Sequence, residues 1–199
     1  MRDIFKIKDI NEIYSILDNA TYGTLALSKG ITPYSVPINF VRVDNIIYFH
    51  GSKRGKKMEF LKHNKNVSFS VVESEAIIPS YFSSNNNLAC PATTFFRSVI
   101  IEGVAEVVTE YNQKVLALNA LMKKLQSEGK YIDLSNSIYK KSIDATNIIK
   151  IVPYNIDAKA KLGQNLKKDR FNLIIKNLKK RGLKEDLKLI NLMRRYNEI

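Results

Sequence analysis

Apolar and polar residues recur along the chain with two different periods, and the switch between them marks out the elements. Ile10, Ile13, Tyr14 and Leu17 share one face at helical spacing, so residues 9–19 predict a first helix. Asp9 stands at its start as a cap, with Glu12 three residues later as the reciprocal capping-box partner. The period then falls to two. "YGTLALS" (22–28) reads as a strand ending in a Lys29-Gly30 turn. "PYSVPINFVRV" (33–43) puts Tyr34, Val36, Ile38 and Phe40 on one face and Ser35, Pro37 and Asn39 on the other. Asp44-Asn45 fits a two-residue hairpin turn, since both residues tolerate positive φ. "IIYFHG" (46–51) then returns as an antiparallel neighbour.

Residues 53–64 predict a short helix anchored by Met58 and Leu61, and "NVSFSVVE" (66–73) another strand. Residues 75–94, with two prolines, a Ser/Asn cluster and Cys90, read as a long loop. "FFRSVIIEGVAEVVT" (95–109) is a long strand in which Gly103 suggests a bulge or a sharp bend. Val115, Leu118, Leu121, Met122 and Leu125 line a helix over 111–127, and 146–160 is a last strand region. The tail, 164–197, predicts one or two helices. Phe171, Ile174, Ile175 and Leu178 make one stripe, Gly182 breaks the pattern, and Leu183, Leu187 and Ile190 make another. Strands mostly follow strands, which excludes the βαβ alternation of a doubly wound fold and predicts a mostly antiparallel β-barrel decorated by helices.

Composition narrows this picture. The 199 residues suffice for one domain with a real core, or one domain and a small appendage. The N-terminus mixes charges into every turn and no window holds eighteen apolar residues, so neither a signal peptide nor a membrane span is expected. A single cysteine rules out an internal disulfide and a cysteine-based zinc cluster, and a reducing cytoplasm is the simplest compartment. The net charge of +13 is uneven: residues 159–199 hold thirteen Lys or Arg against four Asp or Glu. A basic excess suits phosphate or nucleic acid ligands, and equally a solvated Lys-rich surface. The tail shows no aromatic platform and no helix-turn-helix spacing, so no nucleic acid partner is expected.

The candidate chemistry gathers at "HGSKRGKK" (50–57), where a strand gives way to a helix. A helix beginning at Lys53 or Arg54 would offer unpaired N–H groups and a positive dipole end. Ser52 can cap it or donate to an anion, Gly55 allows close approach to the backbone, and Lys56 and Lys57 add charge. The same residues also suit a capped surface helix with lysines on its wet side. No GxxxxGK[ST] loop, GxGxxG turn, GxSxG elbow or HExxH pair is present. His50 reads as a barrel residue, a phosphate donor or an acid/base group, and His63 as a dipole partner at the helix end. Pro37 cannot donate to a ladder, so it marks an edge strand or a place where backbone groups are freed for a ligand, with Asn39 on the same face. Cys90 beside Pro91 is either a reactive thiol or an ordinary half-buried one.

"YGTLAL", "PYSVPINFVRVDNIIYFHGSKRGKKMEFLKHNKNVSFSVVE" and "CPATTFFRSVIIEGVAEVV", in this order, resemble the flavin-binding split-barrel proteins related to pyridoxamine 5′-phosphate oxidase, above all the nitroimidazole-resistance (Nim-type) branch. The likeness spans about Tyr22 to Thr109, with a weaker echo in "KAKLGQNLKKDR" (159–170). It implies a Greek-key antiparallel split barrel over 1–158 and a basic helical extension, 159–199, packed on the same domain. It implies FMN as the cofactor, with its phosphate and ribityl end at His50, Gly51, Ser52, Gly55, Lys56 and Lys57. Pro37, Ile38, Asn39 and Phe40 would then run beside the isoalloxazine, and Arg97, Ser98 and Val99 would sit near the flavin. The implied protein is a homodimer with flavin at the subunit interface, an FMN-dependent oxidoreductase acting on a small molecule, with His50 as a candidate proton donor. The alternatives are a non-catalytic flavin-binding or regulatory module, and a split barrel using haem, a deazaflavin or pyridoxal phosphate. Ser52 stands where alanine is frequent in the family, the 75–94 loop is long and Asn-rich, and the helical tail is extended.

Overall fold

A computed structural model describes residues 1–84 and 88–197. Among the described residues six α-helices and seven strands follow one another: α1 Ile10–Asn19, β1 Tyr22–Lys29, β2 Thr32–Asn39, β3 Val41–Val43, β4 Ile46–Gly51, α2 Lys56–His63, β5 Asn66–Ile78, β6 Thr93–Val107, α3 Tyr111–Leu125, α4 Lys140–Ala145, β7 Asn147–Lys161, α5 Lys168–Arg181 and α6 Lys184–Tyr196. The strands form one sheet in the order β2-β1-β5-β6-β7-β4-β3. β1 pairs antiparallel with β2 and with β5, and β4 with β3 and with β7.

The two outermost strands, β2 and β3, are separated in sequence by Phe40 alone. One residue spans only about 3.5 Å. The sheet must therefore curl until its edges meet at Phe40, which is the geometric content of a barrel left open along one seam. The expected single strand over 33–43 is two strands for this reason. Asp44 turns the following hairpin with φ 53°, as its residue type allows.

The chain divides into two compact units. One comprises Asn11–Val71 and Val99–Asp157, and the other Met1–Ile10, Val72–Ser98 and Ala158–Ile199. In the first, Leu25, Phe40, Phe49 and Phe69 are fully buried, and the rings of Phe40 and Phe69 meet edge-on with centroids 4.8 Å apart. β6 and β7 approach closely where Gly103 sits: a Cβ there would lie 2.6 Å from the Val152 carbonyl oxygen and 2.8 Å from Ile151 Cγ2. Close packing by the neighbouring strand is thus what this glycine serves. Gly103→Ala is expected to lower stability by about 1–2 kcal/mol through overpacking, seen as a lower urea midpoint with an unchanged slope.

In the second unit, Phe171, Ile174 and Leu178 of α5 are buried, as are Leu189, Ile190 and Met193 of α6. Gly182, at φ 72°, closes α5 in the left-handed conformation. Asp186 is 1% exposed. It accepts from Arg181 Nη2 at 2.5 Å and Nε at 2.9 Å, and from the Leu183 N–H at 3.1 Å. The Arg181 hydrogen bonds hold the Asp186 carboxyl below the usual carboxylate range. Its contribution is complete above the unfolded-chain carboxylate value and disappears as pH falls through the lower folded-state value. Asp186→Asn should therefore lower the melting temperature near neutrality and flatten its decline in acid, as thermal melts across pH would show.

Several local expectations are corrected. The short helix begins at Lys56 rather than at 53 or 54. β5 continues to Ile78 and β6 starts at Thr93, so both ends of the expected 75–94 loop, 75–78 and 93–94, are strand. Asn85, Asn86 and Asn87 from that loop lie outside the described residues. Ala117 and Leu121 are the buried residues of α3, whereas Leu125 is exposed. Leu183 and Leu187 are exposed, and α6 turns Asp186, Leu189, Ile190 and Met193 inward. Ile10 is exposed as well, and α1 buries Glu12, Ile13, Ile16 and Leu17. In these helices the stripe is displaced from the one the most hydrophobic residues would draw.

Candidate functional site

β4 delivers His50 and Gly51 to its end, residues 52–55 form the turn, and α2 begins with Lys56. Ser52 does not cap the helix. Its Oγ accepts from the Arg54 N–H at 3.1 Å and so shapes the turn itself. The N-cap is Gly55, whose φ of 106° is open to glycine and strained for other residues. Having no side chain, it leaves the first-turn amides of α2 unsatisfied by any cap. The amide of Glu59 is the first to close a helical bond, to the Gly55 carbonyl at 3.1 Å.

The two lysines that open α2 point to different sides. Lys57 Nζ lies 4.9 Å from the centroid of the buried Phe49 ring. A Cβ on Gly51 would stand 2.8 Å from that ammonium, so the bare glycine is what lets Lys57 close over the strand end. Burial lowers the Lys57 pKa. Among the described residues no carboxylate pairs with it. Lys56 Nζ instead sits 4.6 Å over Tyr34 of β2 and 5.7 Å over Phe60 of α2. Those two rings are 5.2 Å apart and join α2 to β2.

Asn147, at the first position of β7, braces the turn from the opposite strand. Its Nδ2 donates to the Ser52 carbonyl at 3.5 Å and contacts Met58 Sδ at 3.3 Å. The Lys53 ammonium reaches the Asp144 carbonyl at 3.4 Å. Sequence reading missed Asn147, because only the register Gly51↔Asn147 brings it there. His50, one position earlier, is exposed.

Pro37, Ile38 and Asn39 lie on β2, at the edge of the sheet, with Pro37 opposite Thr24. A proline in an edge strand turns its nitrogen away from the partner strand, and the amides two residues on either side share that outward direction. The backbone of Ser35 and Asn39 is thereby presented outward. Ile38 and Phe40 bury their side chains, while Asn39 Nδ2 donates to the Thr21 carbonyl at 3.2 Å. A pocket of about 260 Å³ adjoins Asn39 and Phe40, with Asp18, Thr21 and Lys124 in its wall. Lys124 Nζ is 4.0 Å above the Phe40 ring, and burial lowers its pKa.

The turn and the β2 segment share one unit, with Val99, a core side chain of β6. Arg97 and Ser98 belong to the other unit. There the Arg97 guanidinium donates to Glu75 at 2.8 Å and to Glu73 at 2.9 Å, and Lys188 approaches Glu73 at 3.4 Å. Cys90, also in that unit, is exposed.

The curled seven-stranded sheet, with a basic turn between a β-strand and a short helix, defines an antiparallel Greek-key split barrel. A family model described as pyridoxamine 5′-phosphate oxidase matches residues 9–160. The chain belongs to that family. No curated protein matches the sequence. Among solved structures, a candidate 5-nitroimidazole antibiotic resistance protein of Bacteroides thetaiotaomicron superposes with a TM-score of 0.62 at 20% identity, over 77% of this chain and 85% of that one. The flavocytochrome Anf3 of Azotobacter vinelandii gives 0.62 at 20% identity, over 79% and 69%. A FAD and haem binding protein of Mycobacterium smegmatis gives 0.57 at 20% identity, over 78% and 73%. At these identities the likeness is one of fold. Among the described residues no helix is long and apolar enough to cross a membrane, and no group of three or more His, Cys, Asp or Glu could hold a metal ion.

Proposed function

We propose that the protein binds FMN and uses it as an oxidoreductase on a small molecule. The observation that carries this reading is the half-buried Lys57 ammonium, without a carboxylate partner, closed over Gly51 beside the uncapped first turn of α2. A desolvated cation next to free amides is completed by an anion with several acceptor oxygens, and a phosphate monoester fits that donor set. Family membership and fold relatives named for a flavocytochrome and for FAD and haem binding favour a flavin as the carrier of that phosphate.

His50, Gly51, Ser52, Gly55, Lys56 and Lys57 would hold the phosphate and ribityl end, with Lys57 as the direct charge. The outward backbone of Pro37 and Asn39 would meet the polar edge of the ring system, beside Ile38 and Phe40. A bound flavin supplies hydride and electron transfer. The chain's own part is to bind, to orient and to offer a proton, and His50, exposed at the end of β4, is the group placed to do the last. Arg97, Ser98 and Val99 act on the flavin only indirectly in this reading, as parts of the strand that frames it. The protein works as a homodimer: Ile100, Val152 and Tyr154, exposed on the neighbouring strands β6 and β7, offer it an apolar face. A reducing cytoplasm suits the exposed thiol of Cys90.

The test is a titration of purified protein with FMN, followed by visible absorbance and quenching of flavin fluorescence, with the molar mass measured by light scattering. A yellow, saturable one-to-one complex is expected. A protein that stays colourless and takes up no FMN ends the proposal. Reduction of the bound flavin by NADPH, and its reoxidation by a nitroaromatic, then separate an enzyme from a flavin carrier without activity.

A further inference from the structure

The basic excess of residues 159–199 has no part in the flavin reading. The corner where α5 turns into α6 gives it a neighbour. Leu183 and Leu187, which hydrophobic spacing places in one stripe with Ile190, stand outside the fold, and Ile77 and Tyr81 stand outside with them. The four are 51–68% exposed and belong to one compact unit. A single guanidinium gathers them. Arg181 donates to the Ile77 carbonyl at 3.1 Å and to Asp186, whose carboxylate also accepts from the Leu183 N–H. The same guanidinium lies 5.0 Å over the Phe82 ring, and the Tyr81 ring meets Phe82 edge-on with centroids 5.2 Å apart. Leu187 follows Leu183 by four residues, so both share a side of α6.

Lysines rim this apolar corner. Lys179 and Lys180 end α5, Lys184 and Lys188 lie on the first turns of α6, and all four are exposed. Among the described residues no carboxylate pairs with the first three, and Lys188 approaches only Glu73, which Arg97 already holds. Asp186 is spent on Arg181, which leaves Glu185 as an exposed acid on the same turn.

An exposed apolar patch rimmed by charge marks a docking surface, and here the charge selects the occupant. A second copy of this corner would set lysine against lysine. A duplex would meet the lysines and leave the leucines in water. A peptide helix docks in a groove, whereas these side chains project from a helix start, a strand end and a turn. A lipid surface bearing anionic headgroups answers both parts. Its phosphates take the ammonium groups, its interface takes the leucine, isoleucine and tyrosine side chains, and the lysine stems reach across the boundary between them. We propose that the α5–α6 corner docks the protein on a membrane surface containing anionic phospholipid. The contact is peripheral: Leu189, Ile190 and Met193 stay packed inside, so α6 does not leave the fold to make it. It is independent of the flavin site.

The experiment is co-sedimentation of the full chain with vesicles of phosphatidylcholine alone and of phosphatidylcholine mixed with phosphatidylglycerol. Binding to the mixed vesicles only, weakened by added salt, is expected. Leu183→Ser/Leu187→Ser and Lys180→Gln/Lys184→Gln should each weaken it at least about tenfold with unchanged melting temperature. Lys140→Gln/Lys141→Gln, the same loss of charge on exposed lysines of α4, should leave it nearly unchanged. Binding that ignores the leucines, or that falls equally with the α4 lysines, would be nonspecific charge attraction and would overturn the proposal. Failure to bind the mixed vesicles overturns it too, even where the same leucines take up an acidic amphipathic peptide or hold a dimer together in light scattering.

Discussion

Replacing Arg97 with alanine is expected to destabilise the fold by about 3–5 kcal/mol, the range for stranding one side of a buried ion pair. The Arg97 side chain is 8% exposed, and its partners Glu75 and Glu73 are 4% and 21% exposed. With the guanidinium gone, Glu75 must either keep a buried charge without its partner or take up a proton. Glu73 retains Lys188 at 3.4 Å, so most of the cost falls on Glu75. Arg97→Ala combined with Glu75→Gln should recover part of the loss, because the second change removes the stranded charge. Urea unfolding of both variants gives the comparison. For a chain of this length the single variant should melt roughly 10 °C lower. The experiment also decides between two roles for this residue. A framing role predicts lost stability with little change in the flavin affinity of the folded protein. Unchanged stability and a large loss of flavin affinity would instead make Arg97 a cofactor contact.

Lys57→Ala should weaken FMN binding by about 1.5–3 kcal/mol, roughly ten- to a hundredfold, the worth of a charge-assisted hydrogen bond. Lys56→Ala should cost less, because its ammonium is drawn over Tyr34 and Phe60 and away from Gly51. Lys57→Ala should not harm folding. In the free protein the Lys57 charge is held partly out of water without a carboxylate to offset it, so removing it relieves a desolvation cost. Riboflavin, which lacks the phosphate, gives the control. Its affinity should be nearly the same in wild-type and Lys57→Ala protein. A comparable loss for riboflavin and FMN would mean that Lys57 acts on the ring system or on the fold rather than on the phosphate.

The fold and the site were legible to different depths. Alternation in 22–28 and 46–51, and the Asp44-Asn45 turn, sufficed for antiparallel hairpins, since a period of two and a residue tolerant of positive φ are local properties. Met58 and Leu61 were legible as anchors of α2 on the same ground. The inward faces of α3 and α6 were not. Hydrophobicity ranks side chains, but the neighbouring surface chooses the face. Small Ala117 is buried while Leu125 is exposed, and Asp186 is buried because Arg181 satisfies it. The length of β5 escaped notice because Glu73 and Glu75 look like strand-ending charges until Arg97 is seen between them.

The sequence by itself determined that a strand ends at His50-Gly51, that a cationic helix follows, and that Pro37 marks either an edge strand or backbone freed for a ligand. Each of these follows from spacing and from backbone chemistry carried by one or two residues. Tertiary structure alone decided where the cations point. Successive helical side chains diverge by about 100°, so Lys56 and Lys57 could share a site only if both faces of α2 bordered it. Packing of Phe60 on Tyr34 fixes the rotation of the helix. That rotation sends Lys57 over Gly51 and Lys56 over Tyr34 and Phe60.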